Sequence, residues 1–388
     1  MNQSLVVLGR QPALGLAELE SLYGADSLRP VSAQIAVLDR DHTDINFSRL
    51  GGSIKLAKVL THINVTAWPQ VVRYIAKNLS DYIQDMPEGK IRLGLNVYDF
   101  RIDVREINRT GLELKKAIKK AGRSVRVVPN TGLELNSAQS MHNQLAGPTG
   151  LELIIVKDGN TTILAQVTDS QDINTYAARD QARPKRDARV GMLPPKLAQI
   201  IVNLAGESKT RLLDPFCGTG VILQEATLDG YNAYGTDLEP RMIDYTKANL
   251  EWLNEKWPSD RSFVVEAGDA TNHLWKEPFD VVAGETYLGR PFTTEPARDI
   301  LEQTIREVDT IHRKFLKNLA KQTQYGFTMC LAIPAWMTKN GFKHLPTLDS
   351  LEDLGYTRIS FVHTRSEDLI YHREGQFVGR ELVVLTRK

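Results

Sequence analysis

The chain has 388 residues, 42% hydrophobic and 24% charged, with a formal net charge of +1, a balance that excludes a disordered or fibrous protein and leaves room for about two or three ordinary domains. Its two cysteines, Cys217 and Cys330, are too few for a disulfide framework or a cysteine zinc site, and the histidines do not group at ligand spacing, so no metal is expected. No window approaches the roughly twenty apolar residues of a membrane-spanning helix, and no basic leader precedes Leu5-Val6-Val7-Leu8, so a cytoplasmic protein is expected.

In chain order, the first sixty residues read as a strand over 5–8, a helix over 13–23 closed by Gly24, a strand over 33–38 and a further apolar segment. A helix over 71–83 and a strand over 90–97 follow. Thr110-x-x-Glu113 reads as a capping box, with Leu114, Ala117, Ile118 and Ala121 at helical spacing and Gly122 ending the run. Lys115, Lys116, Lys119 and Lys120 then fall on the solvent side, with Arg123 just beyond. Residues 101–126 hold nine Lys or Arg against three acids. Such a concentration suits a phosphate-facing surface, and equally an ordinary solvated helix face. Strands over 124–128, 151–156 and 161–165 and a helix over 137–145 come next, with Lys157-Asp158-Gly159-Asn160 as a hairpin turn. The stretch 172–189 carries Arg179, Arg183, Lys185, Arg186 and Arg189 with few apolar residues, and reads as a basic linker able to touch phosphates.

The second half opens more sharply. Arg211-Leu212-Leu213, a short buried strand, runs into Asp214-Pro215-Phe216-Cys217-Gly218-Thr219-Gly220, and Val221-Ile222-Leu223 begins a helix. Gly218 and Gly220 lack a Cβ, which lets the backbone turn and approach a ligand, while the free N–H groups of the helix start face a carboxylate. A dinucleotide fingerprint needs a third glycine where Leu223 stands, which counts against NAD. Cys217 has no histidine near it in sequence and reads as a small buried residue. A second strand, 233–236, ends at Asp237, 23 residues after Asp214, a spacing suited to holding ribose hydroxyls; Leu238 and a helix over 241–252 follow. The third strand, 262–265, leads to Gly268-Asp269-Ala270, where the carboxylate can accept from an adenine amino group or cap the turn before Thr271. The fourth, 280–283, leads to Glu285-Thr286-Tyr287-Leu288. Acidic residues thus end four successive apolar strands, the edge where open α/β sheets bind ligands. A fifth strand over 326–334 and a final antiparallel pair over 357–363 and 380–386 complete the pattern; His372 and Arg373 between them serve as substrate contacts or as a loop.

On these residues the chain resembles the class I S-adenosylmethionine-dependent methyltransferases, and more narrowly the THUMP-domain RNA guanosine N2-methyltransferases related to the archaeal and eukaryotic enzymes for position ten of tRNA. The likeness covers nearly the whole chain. It is carried by the 214–220 loop, by the lead-in from Arg183-Pro184 through Gly191-Met192-Leu193-Pro194-Pro195-Lys196-Leu197-Ala198 and Asn203-Leu204, and by the tail Tyr371-His372-Arg373 with Gln376, Gly379 and Arg380. It implies an α/β fold: a class I (Rossmann-like) methyltransferase domain with a seven-stranded mixed sheet over 194–388, preceded by an α+β ferredoxin-like unit over 1–60, a THUMP RNA-binding domain over 61–170 and the basic linker over 171–193. It implies S-adenosylmethionine as cofactor. Pro194, Leu197 and Asp214, Pro215, Phe216, Cys217, Gly218, Thr219 and Gly220 would surround the methionine part, Asp237 and Leu238 the ribose, Asp269 and Ala270 the adenine, with Glu285 on the same edge. The implied partner is tRNA or another structured RNA, held by Lys115, Lys116, Lys119, Lys120, Arg123, Arg183, Lys185 and Arg186; an activating protein partner has no readable signature.

The family's amino-group methyltransferases carry Asp or Asn, two prolines and an aromatic after strand four; the corresponding residues here are Glu285, Thr286, Tyr287 and Leu288, then Gly289 and Arg290. Glu285 would accept from the target amine, the Thr286 carbonyl would be the second acceptor, and Tyr287 or Phe292 would stack on a flipped base. Three readings follow: tRNA guanosine N2-methylation, methylation of another base or of DNA, or an RNA-binding protein whose methyltransferase domain has lost its reaction.

Overall fold

The computed structural model describes residues 2–187, 192–206, 210–292 and 294–388; Arg189 and Gly191 lie outside them. The chain divides into two units, the first made of residues 1–12, 26–48 and 53–174, the second of 13–25, 49–52 and 175–388.

The first unit contains β1 (Ser4–Leu8), β2 (Leu28–Pro30), β3 (Ile35–Leu38), β4 (Ser53–Ile63), α2 (Trp68–Ile83), β5 (Ile91–Tyr98), α3 (Val104–Lys120), β6 (Val125–Val127), α4 (Ser137–His142), β7 (Gly150–Asp158) and β8 (Thr161–Ser170), while α1 (Pro12–Tyr23) counts with the second. The strands form one sheet in the order β2-β3-β1-β4-β8-β7-β5-β6. The break expected near residue 60 is absent: β4 pairs with β1 on one side and β8 on the other, so strands from both expected units share one ladder. β7 is buried from Gly150 to Val156 and β8 from Thr162 to Ala165, so successive residues on both faces of these strands are covered. Buried Lys55 is matched by Glu152, Asn96 and the Leu135 carbonyl, so the charge in this core has its partners.

Helix α3 starts six residues before the expected Thr110 box. The Asp103 carboxylate accepts from the Glu106 N–H at 2.8 Å, a better-placed N-cap, and Thr110 is buried two turns in, accepting from Trp68 Nε1 at 3.2 Å. Helix α4, capped by Asn136 and Gln139, ends at His142, short of residue 145.

The second unit adds α5 (Ile173–Gln181), α6 (Pro195–Leu204), β9 (Arg211–Asp214), α7 (Val221–Leu228), β10 (Asn232–Asp237), α8 (Pro240–Lys256), β11 (Phe263–Ala267), β12 (Val281–Glu285), α9 (Arg298–Ala320), β13 (Thr328–Thr338), β14 (Gly341–Lys343), β15 (Tyr356–Arg358), β16 (Ile370–Tyr371) and β17 (Val378–Arg387). Its sheet runs β11-β10-β9-β12-β13-β17-β15, with β14 on β13 and β16 on β17. The expected seven strands make the path; the two small additions bring the total to nine. β11 through β13 are parallel and β17 is antiparallel to β13. The expected strand over 357–363 stops at Arg358, and Val362 and His363 instead donate backbone N–H groups to the Glu20 carboxylate of α1.

The expected linker over 171–193 contains the helix α5. In α5 Arg179 is buried against Glu225 at 2.8 Å, and Arg183 beyond it is 3% exposed, so neither guanidinium faces solvent. α1 docks Leu14 and Ala17 into the same core as α6, and Glu18 accepts from the Gly51 and Gly52 N–H groups and from Asn203 Nδ2 at 2.7–2.9 Å.

Candidate active site

Strand order places Asp214, Asp237 and Glu285 as the last residues of β9, β10 and β12, and Asp269 two residues past the end of β11. Since β11, β10, β9 and β12 are adjacent and parallel, all four carboxylates come to one edge, at the mouth of the loop 214–220.

The loop is braced on every side. Gly218 and Gly220 have φ of 51° and 81°, a conformation glycine adopts freely, and a Cβ on Gly220 would stand 2.8 Å from Thr246 Cγ2. Thr246 Oγ1 donates to the Gly218 carbonyl at 2.8 Å, and Asn249 Nδ2 donates to the Thr219 carbonyl at 2.8 Å, so α8 holds the turn from behind. The Gly218 N–H donates to Asp237 Oδ2 and the Glu239 N–H to Oδ1, both at 2.9 Å, which fixes that carboxylate's plane. Cys217 is buried, and burial with Asp214 and Asp237 nearby pushes its thiol pKa up, an environment unsuited to a nucleophile.

Burial outweighs the partners of these carboxylates. Burial, opposed by the Phe216 N–H and reinforced by Asp237 and Glu285, holds the Asp214 pKa well above the carboxylate range; burial also raises Asp237. Gly284 has no Cβ because one there would meet Asp214 Oδ1 at 2.7 Å. Glu285 is ion-paired with Arg380 of β17, the two side chains 16% and 8% exposed; burial raises its pKa, and the guanidinium works against that rise. Neither Glu285 Oε2 nor the Arg380 Nη atoms have a protein partner among the described residues. Such an edge suits a ligand bearing positive charge.

Beyond β12 the chain lies on α9. The Thr286 N–H donates to the Ala332 carbonyl at 3.0 Å, and its hydroxyl meets buried His312 Nε2 at 2.6 Å. Gly289, with φ of 87°, runs against Thr304 and Val308. Tyr287 is 44% exposed, whereas Phe292 packs edge-on against Phe377, which leaves Tyr287 as the ring free to stack.

Other expected residues divide. Pro194 is the N-cap of α6, but Leu197 is wholly within the core. Leu238 is exposed beside Asp237, Phe216 packs edge-on against Phe315, and Ala270 is buried with its carbonyl accepting from Asn318. Asp269 Oδ1 accepts from the Thr271 N–H at 2.9 Å: the cap alternative is realised, on a turn. Lys116, Lys119 and Lys120 are exposed on α3 and Lys115 is half-buried. Arg123 is engaged by the Met86 and Pro87 carbonyls. Lys185 and Arg186 are exposed; the Lys185 backbone is held by Asn249, the residue that also braces Thr219. His372 Nε2 meets the Gln376 carbonyl at 2.6 Å, closing a loop. Sequence reading missed Thr246, Asn249 and His312, and gave Arg380 no role; only Arg380, within the tail motif, left a trace.

Five parallel strands with antiparallel β17, a glycine loop after the central strand and acidic residues along its carboxyl edge make up the class I, Rossmann-like fold of methyltransferases. Residues 183–337 match the family model UPF0020, the RMKL-like methyltransferase domain. Among curated proteins the chain is similar to the tRNA (guanine(10)-N2)-dimethyltransferase of Methanothermobacter thermautotrophicus, 33% identical over 162 residues covering 41% of this chain and 44% of that one. The enzyme of the same name from Pyrococcus abyssi is 38% identical over 112 residues, 28% of this chain and 32% of that one. The alignments thus span less than half the length of these relatives. Similar solved structures include TrmN from Thermus thermophilus (TM-score 0.52, 16% identity, 100% of both chains) and SMU.472, solved complexed with SAH (TM-score 0.50, 12% identity, 100% of this chain and 97% of that one), which share the fold.

Proposed function

We propose that this chain transfers a methyl group from S-adenosylmethionine to the exocyclic N2 amine of a guanosine in structured RNA, with tRNA as the substrate. The alignment of four acidic residues along one strand edge, around a loop that only glycine can turn, supports this most directly. The residues fit the cofactor. Its sulfonium and ammonium groups would offset the buried carboxylates of Asp214 and Glu285, its ribose would reach the fixed carboxylate of Asp237, and exposed Leu238 and the open Asp269 Oδ2 flank the place for an adenine. Once bound, it supplies an electrophilic methyl group on sulfur.

The chain's own residues do the rest. Glu285 Oε2 accepts from the amine, the Thr286 carbonyl takes the second hydrogen, and Tyr287 stacks on the flipped base. Attack needs positioning more than a strong base: the N–C bond would form as the methyl–sulfur bond breaks, sulfur keeping the electron pair as a neutral thioether, and the amine proton would then pass to water. The first unit would act as the THUMP-like RNA-binding part, with Lys116, Lys119 and Lys120 on phosphates, and a cytoplasmic location would suit that substrate. One observation favours a second reading: Arg380 already holds one oxygen of Glu285, and an acceptor locked this way would leave an RNA-binding protein without chemistry. Transfer of labelled methyl from S-adenosylmethionine to unmodified tRNA, with Asp214→Ala as control and nucleoside analysis, decides between them: N2-methylguanosine is the expected product, and no transfer despite binding of both ligands would overturn the proposal.

A further inference from the structure

The loop after β12 lacks the two prolines that its family likeness calls for, yet three contacts with α9 and β13 hold it. Thr304, Val308 and His312 are spaced four apart and so share one face of α9. Gly289, in a left-handed conformation, lies against the first two, a Cβ there falling 3.0 Å from Val308 and 3.1 Å from Thr304. His312 takes Thr286: both are buried, and the hydroxyl and Nε2 stand 2.6 Å apart. The partners assign the tautomer. His312 Nδ1 sits 2.8 Å from the Val308 carbonyl, which can only accept, so Nδ1 carries the proton. Burial lowers the His312 pKa to about 4, so at neutral pH Nε2 is an acceptor, and the Thr286 hydroxyl donates to it at 2.6 Å in preference to its second acceptor, the Ala332 carbonyl at 3.2 Å. The Thr286 N–H is fixed separately on the Ala332 carbonyl at 3.0 Å. With amide and hydroxyl both anchored, the peptide that follows has little freedom, and its carbonyl is the one proposed above as the second acceptor for the amine.

We propose that Thr286 and His312 form a positioning pair that aims the Thr286 carbonyl at the target amine, a hydrogen-bonded latch in place of proline rigidity. It rests on the methyltransferase reading above. Neither side chain touches substrate; both act through the backbone.

The test uses the full chain with Thr286→Val, which keeps the shape and removes the hydroxyl, Thr286→Ser, which keeps the hydroxyl, and His312→Gln. Amide hydrogen exchange over residues 286–290 reads the latch whether or not the protein turns over. In Thr286→Val exchange there should rise about tenfold with the β9 and β10 amides unchanged, and kcat should fall roughly 10- to 100-fold with KM for RNA and cofactor within about twofold. Thr286→Ser should recover both to within about threefold, and His312→Gln should resemble Thr286→Val. Unchanged loop exchange in Thr286→Val, or equal losses in the Ser and Val variants, would overturn the latch. If wild-type protein methylates no guanosine, the reading beneath the proposal falls, and its catalytic half with it.

Discussion

Glu285→Gln is the sharpest single perturbation of this site. The carboxylate divides its work between two oxygens, Oε1 on Arg380 and Oε2 without a protein partner. Glutamine is nearly isosteric but has one oxygen, which can serve Arg380 or an incoming amine but not both well. A hydrogen bond to a charged acceptor contributes about 1.5–3 kcal/mol. If that bond is made in the transition state, its loss lowers kcat by about 10- to 150-fold at ~1.4 kcal/mol per decade. Arg380, 8% exposed, also loses its counter-charge. Unpairing a buried charge costs about 3 kcal/mol or more, but the amide oxygen can still accept from Nε, so a loss of roughly 1–3 kcal/mol is expected. That corresponds to a Tm drop of about 2–10 °C for a domain of this size. The assay is single-turnover methyl transfer at 25 °C, with filter binding to RNA and a melting curve on the same preparation. RNA affinity should hold. A kcat within about threefold of wild type, alongside the expected drop in Tm, would refute Glu285 as the amine's acceptor and leave it a structural ion-pair partner.

Three further outcomes follow from the same geometry. Gly220→Ala forces a side chain into a left-handed backbone 2.8 Å from Thr246, whereas Gly230→Ala meets the same φ penalty (93°) in open space; both should lose about 1–2 kcal/mol, but by calorimetric titration only Gly220→Ala should lose cofactor affinity, by tenfold or more. Burial raises Glu18, Glu225 and Asp229 each to about 7. The folded chain therefore keeps protons the unfolded chain releases near pH 4, so the contribution of these three groups to stability is fully present below that pH and is lost as pH rises through about 7. Asp229→Asn removes one such group, and the decline of Tm from pH 5 to 8 should become shallower; an unchanged slope would remove Asp229 from the account. Replacing Lys116, Lys119 and Lys120 with Gln should reduce the slope of log K against log salt for tRNA by about 2 to 3; an unchanged slope would show that this helix face is merely solvated.

The sheet of the second unit was legible because its strands are short apolar runs separated by glycine and acidic residues, so β9 to β12 and the placement of Asp214, Asp237 and Glu285 at their ends follow from local pattern. Where pairing is long-range, the reading failed. Nothing in residues 1–60 says that β4 pairs with β8 more than 100 residues later and so joins the two expected units into one sheet. Nor does α1 advertise that it packs with α6, since Glu18 finds its donors at Gly51, Gly52 and Asn203. The linker misled for a related reason: Arg179 and Arg183 look solvated in a basic stretch, and only the fold puts Glu225 beside Arg179.

The loop after β12 marks where sequence reasoning ends. Read along the chain, losing two prolines frees a backbone that must aim a carbonyl, and lengthening Asp to Glu shifts an acceptor. Both objections assume that neighbours in sequence do the fixing. In the folded chain the constraint comes from 26 residues away for Thr286 and 95 away for Glu285. Arg380 does two things at once: its charge works against the burial that raises the Glu285 pKa, and by taking Oε1 it selects Oε2 as the oxygen left open. A longer acid anchored from β17 can thus hold its free oxygen in a definite place. Both partners sit on regular elements, α9 and β17, so the geometry is as rigid as the sheet. Glu285 and Arg380 are therefore one structural unit, and removing Arg380 should hurt Glu285 more than any change within the loop itself.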